Sequence, residues 1–124
     1  TDMMATLAAI LEFPLPEGAG EDSISFLPLL KDPQRENPAR TTLVTQSSGR
    51  VLTLRDGNWK LIPQLGSGGF SQPRKEKPLP NGPKGQLYRL DQDVAETTNL
   101  WLDEKKQVTH MTKLLEQIKA GSNP

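Results

Sequence analysis

The chain has 124 residues, and its 15 basic side chains balance its 15 acidic ones, so its formal net charge is zero. This balance gives no net field that would attract nucleic acid or an anionic membrane surface, and no apolar run approaches the roughly 20 residues of a membrane span. There is no cysteine, which excludes disulfides, thiolate metal sites and cysteine nucleophiles. We therefore expect neither nucleic acid nor a membrane among its partners.

The N-terminal third predicts two short helical segments. Residues 1–13 carry apolar side chains at helical spacing, and Pro14 ends the predicted helix because proline cannot continue it. Residues 23–30 predict a helical turn, for which Asp22 and Ser23 are the expected caps. The chain starts in mid-helix, with no basic or apolar leader, which predicts a fragment whose own N-terminus lies elsewhere.

The middle of the chain predicts a β-hairpin. In residues 50–55 and 58–63 the side chains alternate between the two faces expected of a β-strand, and these two segments flank Asp56-Gly57. Glycine tolerates the positive φ that a tight primed turn needs, so this arrangement is a strong hairpin signal. The alternation places two pairs of apolar side chains each on one face of its strand, Leu52 with Leu54 and Trp59 with Leu61.

Two further strands and a long loop complete the predicted sheet. Residues 42–46 are rich in β-branched side chains, which favours a strand, and residues 86–90 predict a fourth. Residues 63–85, dense in proline and glycine, show no apolar period. Loops of this length inside a compact domain are usually functional or disordered.

The C-terminal part predicts a capped turn and then the longest helix. Asp93 and Glu96 have capping-box spacing. The helix is expected from Asp103 to Gly121, with Pro124 beyond it, and lone His110 lies beside its apolar stripe. The stripe comprises Val108, Met111, Leu114, Leu115 and Ile118.

The predicted fold class is therefore α+β. We expect a small antiparallel sheet of about four strands, packed by the long C-terminal helix, with an additional N-terminal helix.

Several segments, in this order, resemble the C-terminal region of type I sulfatases, of the arylsulfatase and N-acetylgalactosamine-sulfatase kind, within the alkaline-phosphatase-like superfamily. Each segment alone is a weak signal, but together they span most of the chain. They are residues 15–30 (LPEGAGEDSISFLPLL), 55–62 (RDGNWKLI), 66–70 (GSGGF), 86–90 (QLYRL) and 93–100 (DVAETTNL).

The resemblance implies that the chain is part of a bacterial sulfuric ester hydrolase, periplasmic or secreted in its parent protein. Residues 1–40 would continue from a missing N-terminal catalytic domain, the expected partner, and residues 41–124 would form the C-terminal subdomain. That catalytic domain would hold a Ca²⁺ ion and a formylglycine nucleophile made within a Cys/Ser-x-Pro/Ala-x-Arg motif. The nearest string here is residues 71–74, Ser-Gln-Pro-Arg, whose arginine comes one residue too early. We therefore expect no catalytic residue, metal ligand or cofactor in this fragment.

The resemblance also implies that the subdomain completes one wall of the cleft for a sulfated small molecule or glycan. The glycine-rich loop resembles a GSGGW loop of some sulfatases, with Phe70 replacing tryptophan, and an aromatic ring there can stack on a sugar. It is not a phosphate-binding P-loop, because no Gly-Lys-Ser/Thr follows it. Many relatives have histidine near residues 45–47, where this chain has Thr-Gln-Ser. The candidate substrate contacts are Gln46, Ser47, Arg50, Ser67, Phe70 and Arg74.

Two other functions remain open at this point. One is a non-catalytic module that binds carbohydrate or protein through the same loop, and the other is part of a related phosphodiesterase- or phosphatase-like hydrolase. An apolar face that would dock the missing domain also predicts self-association of the isolated fragment.

Overall fold

The computed structural model describes residues 1–121, in which the chain divides into two compact units. The first unit, Thr1–Thr41, contains helices α1 (Met3–Ile10) and α2 (Leu27–Lys31). The second begins at Thr42. Its elements are β1 (Thr42–Gln46), β2 (Leu52–Asp56), β3 (Trp59–Ile62), β4 (Gln86–Arg89) and α3 (Lys105–Lys119).

The four strands form one antiparallel sheet in the order β1-β2-β3-β4. A single row of apolar residues crosses it, because Val44 pairs with Leu54, Leu54 with Leu61, and Leu61 with Leu87. The α+β fold and its four-stranded sheet are thus confirmed.

Helix α3 covers the face of the sheet that carries this row. Leu54, Leu61 and Leu87 are fully buried, and Met111 and Leu115 of α3 complete the core. Burial of one such side chain contributes about 1.5–3 kcal/mol. A slip of one residue in strand register would move a leucine of the row to the opposite face, so burial on this face specifies the register.

The predicted hairpin between β2 and β3 is confirmed. Asp56 pairs with Trp59, so the loop consists of Gly57 and Asn58 alone. Gly57 has a φ of 54°, and a positive φ at the first loop position is what a type II′ turn requires.

A polar network holds the first unit together around Thr6, which is only 1% exposed. The Thr6 hydroxyl donates to the Asp2 carbonyl at 2.7 Å and accepts from the Phe26 N–H at 3.1 Å. The Ser23 hydroxyl accepts the N–H of Ala5 at 2.9 Å. Ser23 therefore caps α1, which lies 18 residues away in sequence.

The prediction that Asp22 and Ser23 cap a turn at Ile24 is consequently wrong. The carboxylate of Asp2 accepts the Ile24 N–H at 3.1 Å, whereas Asp22 contributes its carbonyl, which accepts from Arg40. These backbone donors are satisfied across the unit and not by neighbours in the sequence.

The predicted capping box at Asp93 and Glu96 is also wrong. The Asp93 carboxylate accepts the N–H groups of Thr97 and Thr98, but no helix forms there. Glu96 has a φ of 55°, and its carboxylate binds the Lys60 ammonium at 2.6 and 2.8 Å.

The remaining helix bounds differ slightly from those expected. Helix α1 is shorter than residues 1–13, and α3 begins at Lys105, two residues after Asp103. The apolar stripe of α3 packs on the core as predicted, and His110 is exposed. Pro124, expected beyond this helix, lies outside the described residues. No helix within residues 1–121 is long and apolar enough to cross a membrane.

Helix α1 presents apolar side chains that remain about half exposed, such as Met3 at 57% and Ile10 at 50%. A helix that is apolar nearly all round is typical of one buried in a larger protein. The expectation that residues 1–40 continue from another domain stays a prediction.

We predict that Thr6→Val destabilises the first unit by about 1–3 kcal/mol, because the similarly shaped side chain leaves the Phe26 N–H buried without an acceptor. The measurement is hydrogen exchange of the Phe26 amide by NMR. Tryptophan fluorescence does not suffice, since Trp59 and Trp101 both lie in the second unit. Thr109→Val is the control, because that exposed hydroxyl only donates to the Lys105 carbonyl within α3. If the Phe26 amide in Thr6→Val is protected from exchange as strongly as in the parent chain, the Thr6 hydroxyl is not the acceptor that stabilises the first unit.

We further predict an acid sensitivity of the first unit. The Arg40 guanidinium, and after it the Ile24 N–H, hold the pKa of Asp2 below its ordinary value of 3.8. The pKa of Asp2 is therefore lower in the folded than in the unfolded chain. The interactions of its carboxylate stabilise the first unit fully at pH values above the unfolded-state pKa, and this stabilisation is lost as the pH falls through the folded-state pKa.

An NMR titration of the Asp2 carboxyl measures this effect. Arg40→Gln should raise the pKa of Asp2 toward 3.8 by removing the largest cause of its depression. Arg35→Gln is the control, because the Arg35 side chain donates instead to the Asn37 carbonyl. A pKa of Asp2 that is insensitive to Arg40→Gln would refute the role of this ion pair.

Candidate functional site

The six predicted contact residues lie at one end of the sheet. In an antiparallel sheet of order β1-β2-β3-β4, the β1–β2 and β3–β4 connections leave from the same end. The β1–β2 turn, residues 47–51, contains Ser47 and Arg50, and Gln46 is the last residue of β1. The β3–β4 loop, residues 63–85, contains the other three, Ser67, Phe70 and Arg74.

A hydrogen bond joins these two loops. The Gly49 N–H donates to the Gly68 carbonyl at 3.0 Å, and we call this contact the loop clasp. A Cβ atom added at Gly49 would lie 2.8 Å from that carbonyl oxygen. Gly68 has a φ of 62° and faces the Ser47 hydroxyl. The clasp therefore requires glycine on both sides.

The longer loop folds back on itself as a narrow hairpin. The N–H of Ser67 donates to the Pro73 carbonyl, and the N–H of Gly68 to the Arg74 carbonyl, both at 2.9 Å. An isolated bridge pairs Leu65 with Glu76. The glycine-rich segment is thus an ordered part of the described chain, and it opens no helix that could cradle a phosphate.

The half-buried amide of Gln86 fixes the base of this hairpin. The Gln86 side chain donates from Nε2 to the carbonyls of Gln64 and Gly66, at 2.8 and 2.9 Å. Its Oε1 accepts from the Tyr88 hydroxyl at 2.7 Å, and burial raises the pKa of that hydroxyl. Sequence reasoning missed Gln86, although its position two residues before an aromatic strand residue on the same face was the available signal.

The six side chains divide into two groups. Two serines serve the loops themselves: the Ser47 hydroxyl accepts the Val51 N–H at 3.2 Å, and the Ser67 hydroxyl accepts the Gly69 N–H at 3.2 Å. The other four are exposed, with Phe70 at 87%. These free side chains are Gln46, Arg50, Phe70 and Arg74. The structure brings the six residues together on two adjoining loops, while their contact with a substrate stays a prediction.

Arg50 has an unusual backbone conformation. Its φ is 61°, a value that non-glycine residues rarely adopt. Its N–H donates to the Ser47 carbonyl at 2.9 Å, which closes the turn. The turn therefore places Arg50 directly after Gly49 of the loop clasp.

Two concave surfaces of the first unit contain none of the candidate residues, and the one around Ala9, Leu27 and Lys31 has a mostly apolar lining. The four free side chains of the two loops are exposed, whereas a pocket buries most of the surface of a small ligand. The two loops by themselves therefore form at most one side of a binding site.

Residues 1–121 contain no group of three or more His, Cys, Asp or Glu side chains placed to hold a metal ion. Ca²⁺ takes six to eight oxygen ligands, with carboxylates prominent among them. The described residues therefore do not fit a calcium site of their own.

Comparison with known proteins identifies relatives of the whole chain, although no family model matches it. An N-acetylgalactosamine-6-O-sulfatase of Bacteroides thetaiotaomicron is 32% identical over 118 residues, which cover 95% of this chain and 22% of the relative. A solved structure from work on the metabolism of multiple glycosaminoglycans by B. thetaiotaomicron has a TM-score of 0.71 and is 34% identical in sequence. The match covers 96% of this chain and 24% of the chain in that structure.

A third protein has a similar fold. The structure of a 2-O GAG sulfatase has a TM-score of 0.62 and 21% identity, and the match covers 98% of this chain and 24% of that structure. At this identity the comparison shows the fold alone.

The chain thus spans about a quarter of the length of the relatives it matches. The similarity nevertheless extends over nearly the whole chain, in sequence and in fold together. The chain is therefore similar, over nearly its whole length, to about a quarter of the length of proteins that are sulfatases.

Proposed function

We propose that this chain is the C-terminal part of an enzyme that hydrolyses sulfate esters, and that its two clasped loops complete one wall of the substrate cleft. The observation that carries the proposal is the loop clasp, because it joins the β1–β2 and β3–β4 connections, which with the end of β1 carry the six residues expected to contact substrate. Binding residues are often found on loops held by a rigid scaffold.

The exposed side chains of this surface suit a sulfated sugar. Arg50 and Arg74 carry permanent positive charges, and a planar guanidinium can donate two parallel hydrogen bonds to an oxyanion. The Phe70 ring supplies an apolar face for a sugar ring, while the Gln46 amide can donate to and accept from hydroxyl groups. The names of the relatives support sulfated N-acetylgalactosamine or a related glycosaminoglycan unit as the substrate class.

The catalytic groups would belong to a separate N-terminal domain of the parent enzyme. There a formylglycine would act as nucleophile, and Ca²⁺ would polarise the sulfate group as a Lewis acid. The residues of this chain would orient the sugar and exclude water on one side of the cleft. The parent would be periplasmic or secreted, where sulfated glycans are met.

The N-terminal catalytic domain is also the proposed partner of the first unit. The exposed apolar side chains of α1 would be covered by that domain, since burial of such a surface is favourable. Without it, the isolated chain would self-associate through the same side chains.

A second candidate is a non-catalytic module that binds carbohydrate through the loop surface. It is favoured by one observation, that the loops carry arginine, phenylalanine and amide side chains but neither cysteine nor a histidine that could activate one of their serines. A phosphodiesterase-like parent is the third alternative, and the similarity to sulfatases argues against it.

We predict that the 124-residue chain alone does not hydrolyse an aryl sulfate or N-acetylgalactosamine 6-sulfate, whereas the full-length parent does. The physical reason is that the nucleophile and metal ligands lie outside this chain. Release of inorganic sulfate, followed by ion chromatography, measures both. Turnover by the isolated chain would refute the division of roles, and a full-length protein inactive on every sulfate ester would favour the binding module.

In the full-length enzyme, Arg74→Ala should lower kcat/KM for a sulfated sugar by about 10- to 100-fold. The reason is that a hydrogen bond to a charged group contributes about 1.5–3 kcal/mol. Phe70→Ala should act in the same direction by removing the stacking face. We expect the effect mainly in KM, because these groups bind the sugar and do not react.

The matched controls lie away from the loop surface. Arg55→Ala removes an exposed arginine whose Nε donates to the Gly57 carbonyl, at the opposite end of the sheet. Val94→Ala removes an apolar side chain that is 83% exposed. Equal losses in the controls and in the loop variants would show that the loop surface has no special role.

A further inference from the structure

Two side chains of β4 connect the sheet to the β3–β4 loop. Gln86 and Tyr88 are two residues apart in the strand, so both side chains lie on the face opposite to that of Leu87, which packs in the core. The Tyr88 hydroxyl donates to Oε1 of Gln86 at 2.7 Å. We call Gln86 and Tyr88 the anchor pair. Because the pair lies on the other face, it can be altered without changing the buried row of leucines.

The hydroxyl of Tyr88 determines which way the Gln86 amide faces. Nε2 of Gln86 donates to the carbonyls of Gln64 and Gly66, at 2.8 and 2.9 Å. Rotation of the amide by 180° would place its oxygen against these two carbonyl oxygens, where it has no donor. Tyr88 is only 7% exposed, so water competes little for its hydroxyl. The bond from Tyr88 to Oε1 therefore favours the one orientation in which Nε2 meets the loop.

The loop has no side chain of its own for this task at Gly66. A Cβ atom added there would lie 2.8 Å from the Pro73 carbonyl oxygen, because the two arms of the hairpin touch at this point. Two residues later, the Gly68 carbonyl accepts the Gly49 N–H of the loop clasp. The anchor pair and the clasp thus hold the same arm of the hairpin, two residues apart, just before the exposed ring of Phe70.

We propose that Tyr88 is a positioning residue for substrate binding, which acts by orienting the Gln86 amide and so holding the arm of the hairpin that leads to Phe70. This inference rests on the proposed function. It adds that the affinity of the wall for a sulfated sugar depends on a side chain of β4 that does not itself touch the sugar.

The expected effect lies in KM and not in kcat. A loop that is free to move in the unliganded enzyme must be ordered when the sugar binds, and this ordering weakens binding. The reacting groups are unaffected, because the loop contacts the sugar equally in the ground state and in the transition state. Loss of one neutral hydrogen bond corresponds to about 3- to 10-fold in an equilibrium constant.

The first test is the steady-state kinetics of Tyr88→Phe in the full-length enzyme, with N-acetylgalactosamine 6-sulfate as substrate. KM should rise by about 3- to 10-fold, while kcat stays within twofold. A variant that is merely less stable would instead lose active enzyme, which lowers the apparent kcat at constant KM. Thr42→Val is the control, since it removes a hydroxyl that donates to the Asp56 carboxylate at the opposite end of the sheet. Both of its constants should stay within twofold.

A double-mutant cycle shows whether Tyr88 acts through Gln86. Gln86→Met keeps an unbranched side chain of similar length but removes all three hydrogen bonds, and it should raise KM at least as much as Tyr88→Phe. Addition of Tyr88→Phe to Gln86→Met should change KM by less than twofold, because the hydroxyl no longer has an amide to orient. Independent, multiplying effects of the two substitutions would overturn the inference.

Hydrogen exchange of the full-length enzyme, followed by mass spectrometry, tests the effect on the loop without any substrate. Peptides that cover residues 64–70 should exchange faster in Tyr88→Phe than in the parent, and those that cover α3 should be unchanged, which also verifies that the fold is retained. Equal exchange of the loop peptides in parent and variant would contradict the positioning role.

The kinetic results separate this inference from the proposed function. If the parent enzyme hydrolyses the sulfate ester and Tyr88→Phe leaves KM unchanged, the role of the anchor pair is refuted and the sulfatase function stands. If the unsubstituted parent hydrolyses no sulfate ester, the proposed function itself fails.

Discussion

The structure of the second unit depends on one buried row of leucines across the sheet. Leu54, Leu61 and Leu87 lie side by side on β2, β3 and β4, and α3 seals them with Met111 and Leu115. Because strand side chains alternate between faces, burial of this row specifies the strand register. The register in turn sets where each strand ends, and so where the connecting loops begin.

The loop surface is a consequence of that register. With the strands level at one end of the sheet, the β1–β2 turn meets the β3–β4 loop closely enough for Gly49 to donate to Gly68. Gln86 then fixes the base of the longer loop through two backbone carbonyls. The sheet and helix supply rigidity, while charge and aromatic surface are placed on the loops. This is the usual division between a scaffold and the site that it positions, and it suits a wall that orients a sugar without reacting with it.

The parts predicted correctly from the sequence are those encoded by local patterns. Period-two alternation around Asp56-Gly57 predicts the hairpin, and the stripe from Val108 to Ile118 predicts the face of α3 that packs on the core. The errors concern polar side chains whose partners are distant in sequence. Ser23 caps α1 across 18 residues, and Glu96 binds Lys60 across 36.

Those distant pairings leave no periodic signal in the sequence. The residues around an Asp or Ser near the start of a helix do not reveal which backbone N–H group its side chain accepts a hydrogen bond from. The same reasoning applies to the candidate site. The residue types of the two loops were recognisable, but their union through a backbone hydrogen bond of Gly49 was not. The resemblance to sulfatases identified the loops as a surface of interest, and the topology of the sheet explains why they adjoin.

The central claim is that the clasped loops form one wall of a sulfatase cleft. The most direct test is a crystal structure of the full-length enzyme with a sulfated N-acetylgalactosamine bound. The account predicts that the sugar lies against residues 46–50 and 66–74, with the Phe70 ring or the Arg74 guanidinium in van der Waals or hydrogen-bond contact. A sugar bound with both loops more than one water layer away would contradict the account.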